Sequence, residues 1–237
     1  MTKKYCPKCN RSDQLVHWKS NSGLDVAQCG CKWYGSVNLL LKEPRLPMIA
    51  PKLKYVSIDI ETTGLNPDTC QVLELGAVIE DWISPIDKLP TFRRILFNKP
   101  IVGEPFALAL NANLLKLIAN PPTELANLFD HPEYLGIGFA QWLSLNGVDP
   151  KHVQPAGKNF AAFDAQFLNR LPRFNEYVRF NHRTIDPSML FWHLDDEGLP
   201  GTKECMERAG IDGKVAHTAV EDAIAVIKMV RYWANTQ

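Results

Sequence analysis

An α/β body preceded by a small metal-stabilised module is the architecture that this 237-residue sequence predicts, on three observations. Four of the six cysteines crowd into the first 31 residues, and three prolines fall between residues 44 and 51. Beyond them, segments with the period of two expected of strands give way to segments with helical spacing. A chain that is 46% hydrophobic and 22% charged has enough apolar surface for one main core, which excludes wholesale disorder. No apolar run approaches the ~20 residues that cross a bilayer, and no hydrophobic signal core follows Met1-Thr2-Lys3-Lys4. No membrane partner and a cytoplasmic location are therefore expected.

Residues 1–42 are too few to bury a stable core unaided, and modules of that size rely on a metal or on disulfides. A reducing cytosol disfavours disulfides, and the spacing favours metal. Cys6-Pro7-Lys8-Cys9 followed by Cys29-Gly30-Cys31 resembles a zinc ribbon, in which two thiolate knuckles hold one tetrahedral Zn²⁺. One structural Zn²⁺ on Cys6, Cys9, Cys29 and Cys31 is the expectation. A single residue separates Cys29 from Cys31 where ribbons usually have two, which tightens that knuckle and leaves His17 as a replacement ligand. A redox-active cysteine pair is the alternative. Cys70 and Cys205 stand alone and read as small core hydrophobes.

Residues 1–54 hold ten Lys or Arg against three Asp or Glu, so a +7 segment adjoins a −7 remainder. Lys3, Lys4, Lys8, Arg11, Lys19 and Lys32 interleave with Trp18, Trp33 and Tyr34. Cations among stacking surfaces suit a single strand, and docking onto a replication or repair protein fits the same surface. A solvated ribbon packed by its own aromatics is the plain alternative. Residues 43–53 read as a proline-rich linker and 54–237 as the main domain.

In that domain Val56, Ile58 and Ile60 alternate with Ser57, Asp59 and Glu61, a strand with both acids on one face. Further strands are expected over 72–79 and 93–97, with turns at 62–64 and 66–68. Helical spacing covers 111–120, 133–146, 160–171 and 202–209, with a short buried strand over 152–156. The last helix offers Val220, Ile224, Ile227, Val230 and Ala234 as a stripe that packs on the sheet.

Three segments carry acids in costly places. Asp59 and Glu61 lie side by side on a strand and repel unless a cation neutralises them, although a solvated strand face also accommodates such a pair. Asp164 interrupts an apolar stripe between Phe160 and Phe167, where a divalent metal or an ion pair to Arg170 or Arg173 would satisfy it. Thr218 and Glu221 read as a capping box, which makes His217 the residue before the cap and Asp222 the fourth helical residue, the two positions that a staple brings together. Plain capping, with Asp222 on the helix dipole, is the alternative there.

Ile58-Asp59-Ile60-Glu61-Thr62-Thr63-Gly64-Leu65, residues 159–168 and residues 217–222 together resemble the three motifs of the DEDDh 3′→5′ exonucleases. That family includes the proofreading epsilon subunits, RNase T and oligoribonuclease. The resemblance, over roughly residues 54–235, implies an RNase H-like exonuclease domain, a central mixed sheet flanked by helices. It implies that Asp59, Glu61, Asp164 and Asp222 hold two Mg²⁺ or Mn²⁺ ions at the 3′ end of single-stranded DNA or RNA, with His217 as general base and nucleoside monophosphates as products. The backbone around Thr62 and Thr63 would then meet the terminal nucleotide, Leu65 would wedge between the last two bases, Asn159 would touch substrate and Phe163 would stack. Glu74 reads as supporting the site at most, and Asp186 as a cap before Pro187. Lys158 stands where relatives often have histidine, which leaves the choice of polymer open. From a different class comes a catalytically vestigial protein that binds nucleic acid or tethers to a replisome through the zinc module. The intact Asp, Glu, Asp, His, Asp set argues against it.

Overall fold

The computed structural model describes residues 15–19, 25–30, 32, 34–36, 53–211 and 218–236, which fall into two units, Met1–Ala50 and Pro51–Gln237. In the first unit, β1 (Leu15–Lys19), β2 (Asp25–Cys29) and β3 (Tyr34–Ser36) form an antiparallel meander with Leu15 opposite Cys29 and Val26 opposite Ser36. Val26, Ala27 and Cys29 are buried, while His17 is exposed. The Lys32 N–H donates to the Cys29 carbonyl at 2.9 Å and closes the turn that leaves β2. Cys6, Cys9, Cys31 and Trp33 lie outside the described residues, as does the proline-rich stretch as far as residue 52.

The second unit is built on a five-stranded mixed sheet. Its strands are β4 (Tyr55–Thr62), β5 (Val72–Glu80), β6 (Thr91–Leu96), β7 (Phe129–Asp130) and β8 (Pro155–Ala156), in the order β7-β6-β5-β4-β8. The three long strands pair antiparallel, and the two short outer ones add in parallel. The helices are α1 (Pro105–Leu110), α2 (Ala112–Ala119), α3 (Pro132–Leu145), α4 (Asp164–Leu168), α5 (Phe174–Tyr177), α6 (Pro187–Leu190), α7 (Thr202–Arg208) and α8 (Ala219–Thr236).

Each face of the sheet has its own core. On one, Val56, Ile58, Leu75, Ala77 and Phe92 meet Leu135, Phe139 and Leu143 of α3. Spacing of three or four residues sets those three on one side of their helix, and all are fully buried. Phe139→Ala would cost about 3–5 kcal/mol. On the other face, Tyr55 and Val78 lie under Ala223, Val226, Ile227 and Val230 of α8, with Cys205 of α7 beside them.

Five expectations are corrected. Ser57, read as part of a polar strand face, is fully buried: α8 covers that face, and the Ser57 hydroxyl donates to the Ala223 carbonyl at 2.8 Å. The buried stripe of α8 runs Ala219, Ala223, Val226, Ile227 and Val230, with Val220, Ile224 and Ala234 only half-buried, because alanines in the first turns let the helix lie close to the strands. The helix expected over 160–171 shrinks to α4, since Asn159 is left-handed (φ 58°) and Phe163 lies off the helical region at φ −121°, ψ −77°. Cys70 is half-buried, its thiol 3.8 Å from Glu104 Oε1, so it is no core hydrophobe, whereas Cys205 is. The strand expected over 152–156 is confined to β8, with Val153 adding one isolated bridge to Phe180.

Candidate active site

The site forms where β4, β5 and α8 meet. Period-two geometry puts Asp59 and Glu61 on the face of β4 that α8 covers, and Asp59 pairs with Gly76 of β5. Only glycine fits there: a Cβ on Gly76 would lie 2.3 Å from the Ala219 carbonyl carbon. The first turn of α8 therefore rests on the strand itself, and Asp222, one turn in, reaches the two strand acids. Carboxylate oxygens of Asp59, Glu61 and Asp222 all lie within 4.8 Å of one another.

Asp164 arrives from the open edge of β4. There β8 pairs only with Val56 and Ser57, and Gly157 turns away so tightly that a Cβ on it would sit 2.7 Å from the Ile58 carbonyl oxygen. The Ile60 N–H, between the two strand acids, donates to Asp164 Oδ1 at 3.1 Å. Neither arginine weighed as its partner reaches it, for Arg170 pairs with Asp68 and Arg173 with Glu176. Asp164 sits beside the cluster of three, buried.

Burial and mutual repulsion raise the proton affinity of Asp59, Glu61 and Asp164. Desolvation, then the charges of Asp164, Asp222, Glu61 and Glu74, push Asp59 well above the usual carboxylate range. Desolvation raises Glu61 to about 7, opposed by a hydrogen bond from the Asn111 side chain and helped by Asp222 and Glu74. Asp164 is raised as well, chiefly by desolvation, against the hydrogen bonds that it accepts. Oxygen-only ligands, close together and short of internal cations, are the donor set that a hard divalent ion prefers to protons. The residues present fit Mg²⁺ or Mn²⁺.

Three neighbours support the cluster. Glu74, 2% exposed, stands opposite Glu61 on β5 and is paired with Arg93. Asp186 caps α6 through the Ser188 N–H (2.9 Å), and its other oxygen accepts the Asn159 N–H at 2.9 Å, fixing the loop before α4. Asn111 escaped the sequence reading except as a helix start; its buried side chain donates to the Thr62 carbonyl at 3.1 Å as well as to Glu61. No spacing rule links it to β4, so no signal in the sequence pointed to it.

Residues expected to meet substrate divide into two sets. Thr62 and Thr63 are buried. The Thr63 N–H donates to the Gln71 carbonyl, its carbonyl accepts from Glu104 N–H and its hydroxyl donates to the Val102 carbonyl, so it braces the loop. Leu65, by contrast, is 74% exposed, its N–H held by Glu104 Oε1 at 3.2 Å. Asn159 is exposed, and Phe163 is half-buried against Phe167. Thr218 directly precedes α8, its carbonyl accepting the Asp222 N–H at 3.0 Å and its hydroxyl bonding the Glu221 carboxylate at 2.7 Å. His217 lies outside the described residues.

No protein-family model and no curated protein matches the sequence. Solved structures do. They include a moderately thermophilic exonuclease I from Methylocaldum szegediense (17% identity, TM-score 0.52) and the zinc-ion-bound form of the E. coli exonuclease I complex with single-stranded DNA (18%, 0.54). A third is E. coli exonuclease I in complex with a dT13 oligonucleotide (18%, 0.51). Each match covers 76% of this chain and 40% of the other, so the chain spans about two fifths of the length of those structures. At such identity the likeness shows the fold, which is the mixed α/β, RNase H-like fold of exonuclease I.

Proposed function

We propose that this chain is a divalent-metal-dependent 3′→5′ exonuclease that releases nucleoside monophosphates from single-stranded nucleic acid. One observation carries the reading: Asp59, Glu61 and Asp222, drawn from two distant parts of the chain, converge within 4.8 Å with Asp164 alongside. The fold shared with exonuclease I supports it. Asp59, Glu61, Asp164 and Asp222 are assigned as the ligands of two Mg²⁺ or Mn²⁺ ions, which when bound supply charge neutralisation at the scissile phosphate. His217, next to the cap of α8, is assigned as the base that takes the proton from the attacking water. Leu65 is assigned as the wedge, with Phe163 stacking and Asn159 touching the strand, while Thr62 and Thr63 hold the Leu65 loop in place.

Single-stranded DNA is the favoured polymer, since solved exonuclease I structures hold dT13 and dA16 oligonucleotides. In the first unit, Cys6, Cys9, Cys29 and Cys31 are assigned to one structural Zn²⁺, with the surrounding cations gripping the strand. Docking onto a replication or repair protein is the second use proposed for that unit, and exonuclease I is known in a complex named for the SSB C-terminus.

Matched 3′-labelled and 5′-labelled DNA and RNA strands, digested with Mg²⁺, Mn²⁺ or EDTA, test the proposal. The 3′ label is expected to leave as a mononucleotide while the 5′ label shortens stepwise, in either metal and not in EDTA. Internal cuts, or an intact strand in both metals, would favour the binding or tethering protein instead.

A further inference from the structure

A cavity of about 480 Å³ opens on the exposed side of α4. Ala165 and Gln166 of α4 line it, and they project roughly 100–200° around the helix from the buried Asp164. The acids and the cavity therefore lie on opposite sides of one short helix. Its volume falls within the range of small-molecule sites.

We propose that this cavity is a nucleotide subsite, taking the base and phosphate of a nucleotide upstream of the one being removed. The inference rests on the exonuclease reading for its direction along the strand. Its chemistry stands by itself. Phe180 forms one wall, braced edge-on by Phe160 at 5.0 Å and by a tilted Phe174 at 6.0 Å, which presents a fixed aromatic surface to a base. Around it the carboxamides offer both kinds of hydrogen bond. Gln166 and Asn175 use their NH₂ groups on the Ala161 and Asn169 carbonyls, which leaves their oxygens to accept from a ligand. Asn181 uses its oxygen on the Arg183 N–H at 3.0 Å, which leaves its NH₂ to donate.

Charge selects an anion. The Arg179 guanidinium and the His182 ring line the cavity, both exposed and neither with a side-chain partner among the described residues. No carboxylate lines it among those residues. An aromatic wall, donors and acceptors for a base edge and an unpaired guanidinium for a phosphate together match a nucleotide unit. None of the acids lines the cavity; with the 3′ end at Asp59 and Asp164, as the exonuclease reading has it, the unit it takes is an earlier nucleotide.

Equilibrium binding of a 5′-fluorescent dT6 strand in EDTA, where metal-dependent hydrolysis is blocked, tests the subsite in the full chain. Arg179→Ala is expected to raise Kd about tenfold and to make the slope of log K against log salt shallower by about 0.7, the signature of one lost single-strand phosphate contact. Gln166→Ala with Asn181→Ala is expected to raise Kd about threefold while keeping the salt slope, as loss of uncharged contacts does. These side chains are exposed, and an unchanged melting temperature checks that folding is intact. Failure of the wild type to bind dT6, or an Arg179→Ala variant with the wild-type Kd and slope, overturns the subsite. Failure of the exonuclease reading looks different: binding that depends on Arg179 in a chain that cleaves neither labelled strand.

Discussion

The two ends of α8 solve one electrostatic problem in opposite ways. Near its C-terminal end, Glu80 of β5 is fully buried, and Arg231 answers it with two hydrogen bonds of 2.5 Å, from Nε to Oε2 and from Nη2 to Oε1. A forked guanidinium on a carboxylate cancels the charge and meets its lone pairs, so that end needs nothing from outside. At the N-terminal end, Asp222 of the same helix meets Asp59 and Glu61. The helix dipole favours Asp222 by about 0.3–1 kcal/mol, far less than the repulsion and desolvation that lift its neighbours' proton affinities. One end is a structural clasp. The other keeps an electrostatic debt that a bound cation would settle.

The contrast breaks most visibly under substitution. If the proposed assignment holds, Asp59→Asn or Asp222→Asn is expected to lower nuclease turnover by at least about 10³, because each would lose a charged ligand worth several kcal/mol at the transition state. The same variants are expected to melt higher than wild type in EDTA, since one of the crowded carboxylates is gone. Turnover within tenfold of wild type would remove the residue from the site. Arg231→Met is expected to do the reverse, costing about 3–5 kcal/mol in urea unfolding by stranding Glu80 while the folded fraction keeps its activity. A loss under about 1 kcal/mol would deny the clasp.

Acidity gives the next largest effect. Glu61 rises from an ordinary value near 4.5 to about 7 in the fold, and Asp59 lies above its usual range too. Between those limits the folded chain holds more protons than the unfolded one, so metal-free stability is expected to fall as pH rises from about 4.5 through 7. Glu61 alone contributes at most about 3 kcal/mol to that fall. Asp196, held below the usual range by its hydrogen bonds with Arg208, titrates beneath this window and leaves it clear. Saturating Mg²⁺ should flatten the slope, because the cation replaces the protons. Urea midpoints at pH 5 and pH 8, with EDTA or Mg²⁺, check this; equal slopes in both would contradict it. The smallest effect is that of Asn111→Ala. It is expected to weaken Mn²⁺ binding roughly three- to tenfold through a looser Glu61, with stability down by about 1–2 kcal/mol, read by a metal titration beside a thermal melt.

How much of this was legible depends on the range over which a residue acts. Asp59 and Glu61 could be paired on one face because the period of two is local, and Asp222 could be set one turn into a helix because Thr218 and Glu221 mark its start. What the alternation could not say is which medium the polar face meets. Ser57 is buried because Ala219 and Ala223 are small and Gly76 has no side chain, a fit between segments more than 140 positions apart. The same limit hid Asn111, whose partners lie on β4, and overextended α4, whose start is set by Asp186 holding the Asn159 loop from outside. Expectations on Cys6, Cys9, Cys31 and His217 concern residues outside those described.

The most direct test of a cation-seeking acid cluster is a calorimetric titration of the metal-free chain with Mn²⁺ at pH 6 and pH 8, repeated in two buffers of different ionisation enthalpy. Tighter binding at pH 8, proton release at pH 6 and loss of binding in both Asp59→Asn and Asp222→Asn are the predicted results. Mn²⁺ binding that is unchanged in both variants and takes up or releases no protons would contradict the assignment of these acids.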